Sequence, residues 1–80
     1  MKIYPTLKDV QIMPLYILKL IYENGECRLY DFSSNLTHPY YSQLKDTLLF
    51  QQVTVLNGEL YWKTGQDFCP HTLYELSYPL

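Results

Sequence analysis

The sharpest chemical grouping in this chain is Cys69-Pro70-His71. A helix opened by Pro70 puts Cys69 at its N-cap, where the positive end of the helix dipole lowers a thiol pKa. His71 then supplies an imidazole two residues on. Nucleophilic catalysis also needs a group that orients the base, and the chain shows none. Cys69 therefore reads as a small cap or an inert thiol. Cys27 and His38 complete a formal zinc set with Cys69 and His71. Their spacings match no usual paired-ligand pattern, and a proline between two ligands restricts their approach. Glu23 and Glu26 flank a turn, while Asp31 is expected to face inward beside Leu18. No catalytic residue, metal site or cofactor is expected, and three separate glycines make no phosphate cradle.

A second pattern, Trp62-x-x-Gly65-x-Asp67, reads as structural. Trp62 fills the core, and Gly65 takes a positive φ in a turn. Asp67 is expected to accept backbone N–H groups at that turn or at the start of the next helix.

Two Asn-Gly pairs fix the elements that position these residues. Asn24-Gly25 and Asn57-Gly58 each lie between β-rich runs, and a two-residue type I′ turn suits both. The first turn then pairs Tyr22 with Cys27, Ile21 with Arg28, Leu20 with Leu29 and Lys19 with Tyr30. Alternation puts Leu18, Leu20, Tyr22, Cys27 and Leu29 inside. Lys19, Ile21, Arg28 and Tyr30 point outward. The second turn pairs Leu56 with Glu59, Val55 with Leu60, Thr54 with Tyr61 and Val53 with Trp62. Val53, Val55, Leu60 and Trp62 face inward, leaving Gln52, Thr54, Tyr61 and Lys63 outside.

A helix is expected after Thr37, with Pro39 in its first turn and Tyr40, Leu44 and Leu48 at helical spacing. Another starts at Pro70 and ends before Pro79. A strand is expected around Val10 to Met13, stopped by Pro14. The fold class is α+β: a small antiparallel sheet from two hairpins, with one or two helices on one face. Residues 1–80 form a single domain.

Composition limits function without naming it. Nearly half the residues are apolar and nine are tyrosines, which excludes an intrinsically disordered chain. A formal charge of −2 gives no electrostatic case for direct nucleic-acid binding. No apolar run approaches the roughly 20 residues that span a bilayer, and no signal-peptide pattern opens the chain. Two cysteines make no disulfide framework, so a reduced, cytoplasmic protein is the expectation.

The order of hairpin, Leu44-Lys45-Asp46 with Phe50 and Val53, then Trp62-x-x-Gly65-x-Asp67 and a proline-led helix with Leu73-Tyr74 resembles the bacterial domain of unknown function 2442 family. The resemblance runs from about Met13 onward. It implies a small α+β domain in a prokaryotic cytoplasm. Members occur alone or joined to a helix-turn-helix domain, and some are encoded beside a second small protein in toxin–antitoxin-like pairs. No fused DNA-binding domain is expected in this chain. Similar sequences place a small polar residue where Cys69 stands.

Two functions follow as expectations. The first is a non-enzymatic interaction or regulatory module, the antitoxin-like member of such a pair. Its partner is a protein encoded nearby or a second copy joined through exposed strand edges. Lys19, Ile21, Arg28, Tyr30, Tyr61 and Lys63 form the expected surface, rich in residues that interfaces favour. The alternative is a nucleic-acid-associated regulator, acting through a separate DNA-binding partner or by stacking RNA bases on Tyr30 and Tyr61.

Overall fold

In the computed structural model, which describes residues 4–80, the second Asn-Gly pair makes the turn its chemistry favours. Asn57 (φ 53°) and Gly58 (φ 80°) both take left-handed conformations. They join β4 (Val53–Leu56) to β5 (Glu59–Trp62). All four cross-strand pairs, from Val53–Trp62 to Leu56–Glu59, are those expected. Leu60 and Trp62 are fully buried, and Val53 and Val55 pack beside them.

The first Asn-Gly pair behaves differently. It lies between β2 (Ile17–Tyr22) and β3 (Cys27–Asp31). The Tyr22 N–H donates to the Glu26 carbonyl at 2.9 Å, and the Gly25 N–H donates to the Tyr22 carbonyl at 3.0 Å. The loop is therefore Glu23-Asn24-Gly25, and only Gly25 has a positive φ (92°). This is a three-residue turn closed by a glycine bulge. Asn24 accepts the Glu26 N–H on Oδ1 at 3.0 Å, an Asx turn that needs no left-handed backbone at Asn24.

That single extra loop residue moves the register by one. Ile21 pairs with Cys27, Leu20 with Arg28, Lys19 with Leu29 and Leu18 with Tyr30. A one-residue slip exchanges the faces of a whole strand. Arg28 and Tyr30 thus join Leu18, Leu20 and Tyr22 inside, whereas Cys27 and Leu29 lie outside with Lys19 and Ile21. Both halves of the expected β3 assignment are corrected. Asp31 pairs with Ile17 and is exposed, not inward beside Leu18.

β1 (Leu7–Met13) pairs with β2, starts earlier than expected and ends at Pro14. The short β7 (Tyr78–Pro79) pairs with Leu29 and Arg28, giving a four-stranded antiparallel sheet ordered β1-β2-β3-β7. A second sheet has the order β4-β5-β6, with β6 at Asp67–Phe68. Trp62 and Gln66 close the β5–β6 turn as Tyr22 and Glu26 close the β2–β3 turn. The Trp62 N–H reaches the Gln66 carbonyl at 2.9 Å, and the Gly65 N–H (φ 102°) reaches the Trp62 carbonyl at 2.8 Å.

α2 (Pro70–Leu76) has Pro70 in its first turn and stops before Pro79, as expected. The helix expected from Thr37 to Leu48 is replaced by 3-10 turns at Ser33–Thr37 and Ser42–Lys45 and a one-turn α1 at Thr47–Phe50. Asp46 is the reason. Its extended backbone (ψ 114°) breaks the helical path, and its Oδ1 caps α1 by accepting the Leu48 N–H at 2.9 Å. Leu48, expected on an apolar stripe, is exposed.

The core lies between the two sheets, α2 and these turns. Phe32 sits at its centre, with ring centroids of Trp62 at 5.0 Å, Tyr41 at 5.2 Å, Phe50 at 5.6 Å and Phe68 at 5.8 Å. Burying such side chains contributes about 1.5–3 kcal/mol each, the main favourable term for a domain of this size. The fold is α+β, two antiparallel sheets with two short helices.

Candidate interaction surface

Antiparallel register assigns the outer face of the four-stranded sheet row by row, because paired residues point to the same side. Met13, Ile17 and Asp31 form one row. Gln11, Lys19, Leu29 and Tyr78 form the next. Asp9, Ile21 and Cys27 form the third, extended by Leu80, whose N–H donates to the Cys27 carbonyl at 3.0 Å. Ile17, Ile21, Leu29, Met13, Tyr78 and Leu80 are not members of the buried core cluster. Tyr78 and Leu80 are 65% and 70% exposed. The result is an aliphatic face with Lys19 near its middle and Asp9 and Asp31 at two corners.

The expected surface does not assemble. Lys19 and Ile21 belong to this face, but Tyr61 and Lys63 lie on or just beyond the second sheet. Arg28 is turned inward, only 14% exposed at its side chain. It donates from Nε to Ser77 Oγ at 2.5 Å and from Nη2 to the Ser77 carbonyl at 2.8 Å. Its guanidinium also lies 4.4 Å from the Tyr74 ring centre, and Nη1 is 3.7 Å from Glu26 Oε1. Tyr30 is buried, and its hydroxyl donates to Asn35 Oδ1 at 2.6 Å. Both anchor the fold.

Around Arg28, Asn24 and Tyr74 donate to the Glu26 carboxylate and hold its pKa below the usual value. Tyr22 closes the cluster edge-on to Tyr74, with ring centroids 5.3 Å apart. Burial pushes its phenol up to about 12, and its hydroxyl has no hydrogen-bond partner among the described residues.

Trp62 and Gly65 stand where the sequence places them, in core and turn. Asp67 does not cap α2. It lies on β6, where the Tyr40 hydroxyl donates to Oδ1 at 3.2 Å and the Tyr41 hydroxyl donates to its carbonyl at 2.7 Å. Gln66 was not legible as a structural residue. Buried beside the turn, it accepts from the Thr64 hydroxyl and donates to Gln43 Oε1 at 3.2 Å and the Tyr40 carbonyl at 3.3 Å.

The strand edges are guarded. A bulge near Lys8 interrupts β1, and Asp9 Oδ1 accepts the Val10 N–H at 2.8 Å. Tyrosine hydroxyls close β6, and residues 78–80 cover the start of β3. Such features discourage edge-to-edge pairing.

The formal zinc ligands are dispersed, and no group of three His, Cys, Asp or Glu residues could hold a metal ion among the described residues. Cys27 is on the outer sheet face and His38 lies 6.1 Å from the Tyr41 ring. His71 stacks on Tyr4 at 5.3 Å. Cys69 is exposed at the N-cap of α2, where the Thr72 N–H and hydroxyl lower its thiol pKa. No described helix is long and apolar enough to cross a membrane.

A family profile described as protein of unknown function (DUF2442) matches residues 7–79, from the first residue of β1 to the last of β7. The chain belongs to the DUF2442 family. Neither a curated protein nor a solved structure matches it. In this DUF2442 chain the match spans both sheets, so the Trp62 turn and the outer sheet face fall within it.

Proposed function

We propose that this DUF2442 chain is a non-enzymatic protein-interaction and regulatory module, the antitoxin-like member of a small bacterial pair. The observation that supports this reading is the aliphatic outer face of the four-stranded sheet, centred on Ile21 and Leu29. A contiguous apolar patch left outside the core and rimmed by polar groups is the kind of surface that marks a partner site. Lys19, Asp9 and Asp31 would set the partner's orientation. The RNA-stacking form of the nucleic-acid alternative needs Tyr30 and Tyr61 on one basic face. It is disfavoured because Tyr30 is buried and Tyr61 lies on the second sheet. Regulation through a separate DNA-binding partner makes no such demand.

The test is co-purification of the tagged protein from its native host. A protein recovered in stoichiometric amount should be lost with Ile21→Lys and Leu29→Lys and retained with Leu56→Lys, which alters the second sheet. Circular dichroism checks that each variant folds. Equal recovery with all three variants would refute binding through this face.

A further inference from the structure

The tip of the β1–β2 hairpin carries two unfavourable features at one residue. Leu15 and Tyr16 both have φ of 63°, a left-handed conformation that side chains with a Cβ rarely adopt. Leu15 is also 82% exposed, the most exposed of the large apolar residues among those described. Tyr16 has an evident reason for its conformation. Its hydroxyl donates to the Lys45 carbonyl, its ring meets Phe50 edge-on at 5.1 Å, and its carbonyl accepts the Phe32 N–H at 2.9 Å. Leu15 makes no comparable hydrogen bond or ring contact among the described residues. Glycine or asparagine would fit its backbone better, and any polar residue would suit its exposure better. Strain held at an exposed apolar side chain points to a contact made elsewhere.

A receptor for that side chain lies directly beside it. Ile12, Met13, Pro14, Leu15, Tyr16, Thr47, Phe50 and Gln51 line a groove of about 290 Å³. A cavity of roughly 150 Å³ already holds a benzene molecule, so the groove has room for a leucine side chain. None of its lining residues is charged. Two copies of a chain with net charge −2 can therefore meet here without opposing like charges.

We propose that Leu15 of one copy inserts into this groove on a second copy, and the reverse. A knob and hole side by side on one surface are self-complementary under a two-fold axis, the commonest symmetry of soluble oligomers. Tyr16, clamped by Lys45 and Phe50, fixes the direction of the knob. This contact meets the outer sheet face only at Met13, so substitutions at Leu15 and Gln51 report on it and Ile21→Lys reports on the sheet face.

Sedimentation equilibrium of the full chain from micromolar to millimolar concentration tests the proposal. Wild type should dimerise. Leu15→Gly, which relieves the backbone strain, should weaken association by at least about tenfold, as should Gln51→Glu, which places a charge in the groove. Ile21→Lys should leave association unchanged. In a background without Cys27 and Cys69, mixed Leu15→Cys and Gln51→Cys proteins should form a disulfide between copies. A wild type monomeric throughout would overturn the proposal. So would a dimer insensitive to both tip variants, or one lost only with Ile21→Lys.

Discussion

Trp62 and Phe50 are joined twice. The indole Nε1 donates to the Phe50 carbonyl at 3.1 Å, and the two rings lie 6.1 Å apart at 34°. The bond satisfies the one polar atom of a fully buried tryptophan and ties the end of α1 to β5. Trp62→Ala removes packing and hydrogen bond together and should cost about 3–5 kcal/mol, enough to unfold a domain of this size. Trp62→Phe keeps most of the packing but orphans the carbonyl, at about 1–3 kcal/mol. Urea denaturation should rank wild type, Phe and Ala in that order. A Trp62→Ala melting temperature within a few degrees of wild type would contradict this role.

The Tyr22 hydroxyl is the opposite case, a buried polar atom without a partner among the described residues. Tyr22→Phe removes that liability while keeping the edge-on contact with Tyr74. The variant should be more stable by about 1 kcal/mol. An unchanged or lower urea midpoint would show that the hydroxyl is satisfied in solution.

Stability should decline at both extremes of pH, for different groups. Glu26 and Asp31 titrate below their ordinary 4.5 and 3.8 in the folded chain, held down chiefly by Asn24 and by Ser33. A depressed folded pKa gives stability that is present above the unfolded value and lost as pH falls through the folded one. The acid loss therefore begins near pH 4.5 and deepens below it. Tyr22 and Tyr41 are raised by burial from 10.0 to about 12. Their contribution is complete below pH 10 and is lost as pH rises towards 12. Urea midpoints across pH should show both declines, and Tyr22→Phe should soften the alkaline one.

Alkylation should distinguish the two thiols. Cys69 is exposed with a lowered pKa, whereas Cys27 is half-buried on the outer sheet face. Iodoacetamide at neutral pH should modify Cys69 first and faster than a free thiol. Peptide mapping showing Cys27 labelled as quickly would refute the assignment.

The two hairpins show what the sequence made legible. Asn57-Gly58 closes a two-residue turn, so every pair in the second hairpin follows from its position. Asn24-Gly25 carries the same dipeptide, but the Asn24 side chain captures the Glu26 N–H, and Asn24 does not take the positive φ that Asn57 does. The loop gains one residue, and the faces of β3 exchange. That choice depends on a local hydrogen bond that composition does not reveal. It decided whether Arg28 and Tyr30 belonged to a surface or to the core. The helix expected over Tyr40 to Leu48 failed for a related reason, because Asp46 could lie within a helix or cap one, and it caps. The outer face was half visible, in Lys19 and Ile21. Tyr78 and Leu80 entered it through a strand too short to read from pattern alone.

The pairing of β7 with β3 joins positions about fifty residues apart, since Tyr78 lies opposite Leu29 and Ser77 receives Arg28. During synthesis, Arg28 leaves the ribosome long before Ser77 does. The nascent chain can close its first hairpin early, but the guanidinium has no inward destination until α2 and the strand after it emerge. The stretch from Ser77 onward is thus the one that locks the first sheet, and a ribosome stalled before Ser77 would hold a chain with a charged side chain awaiting its site.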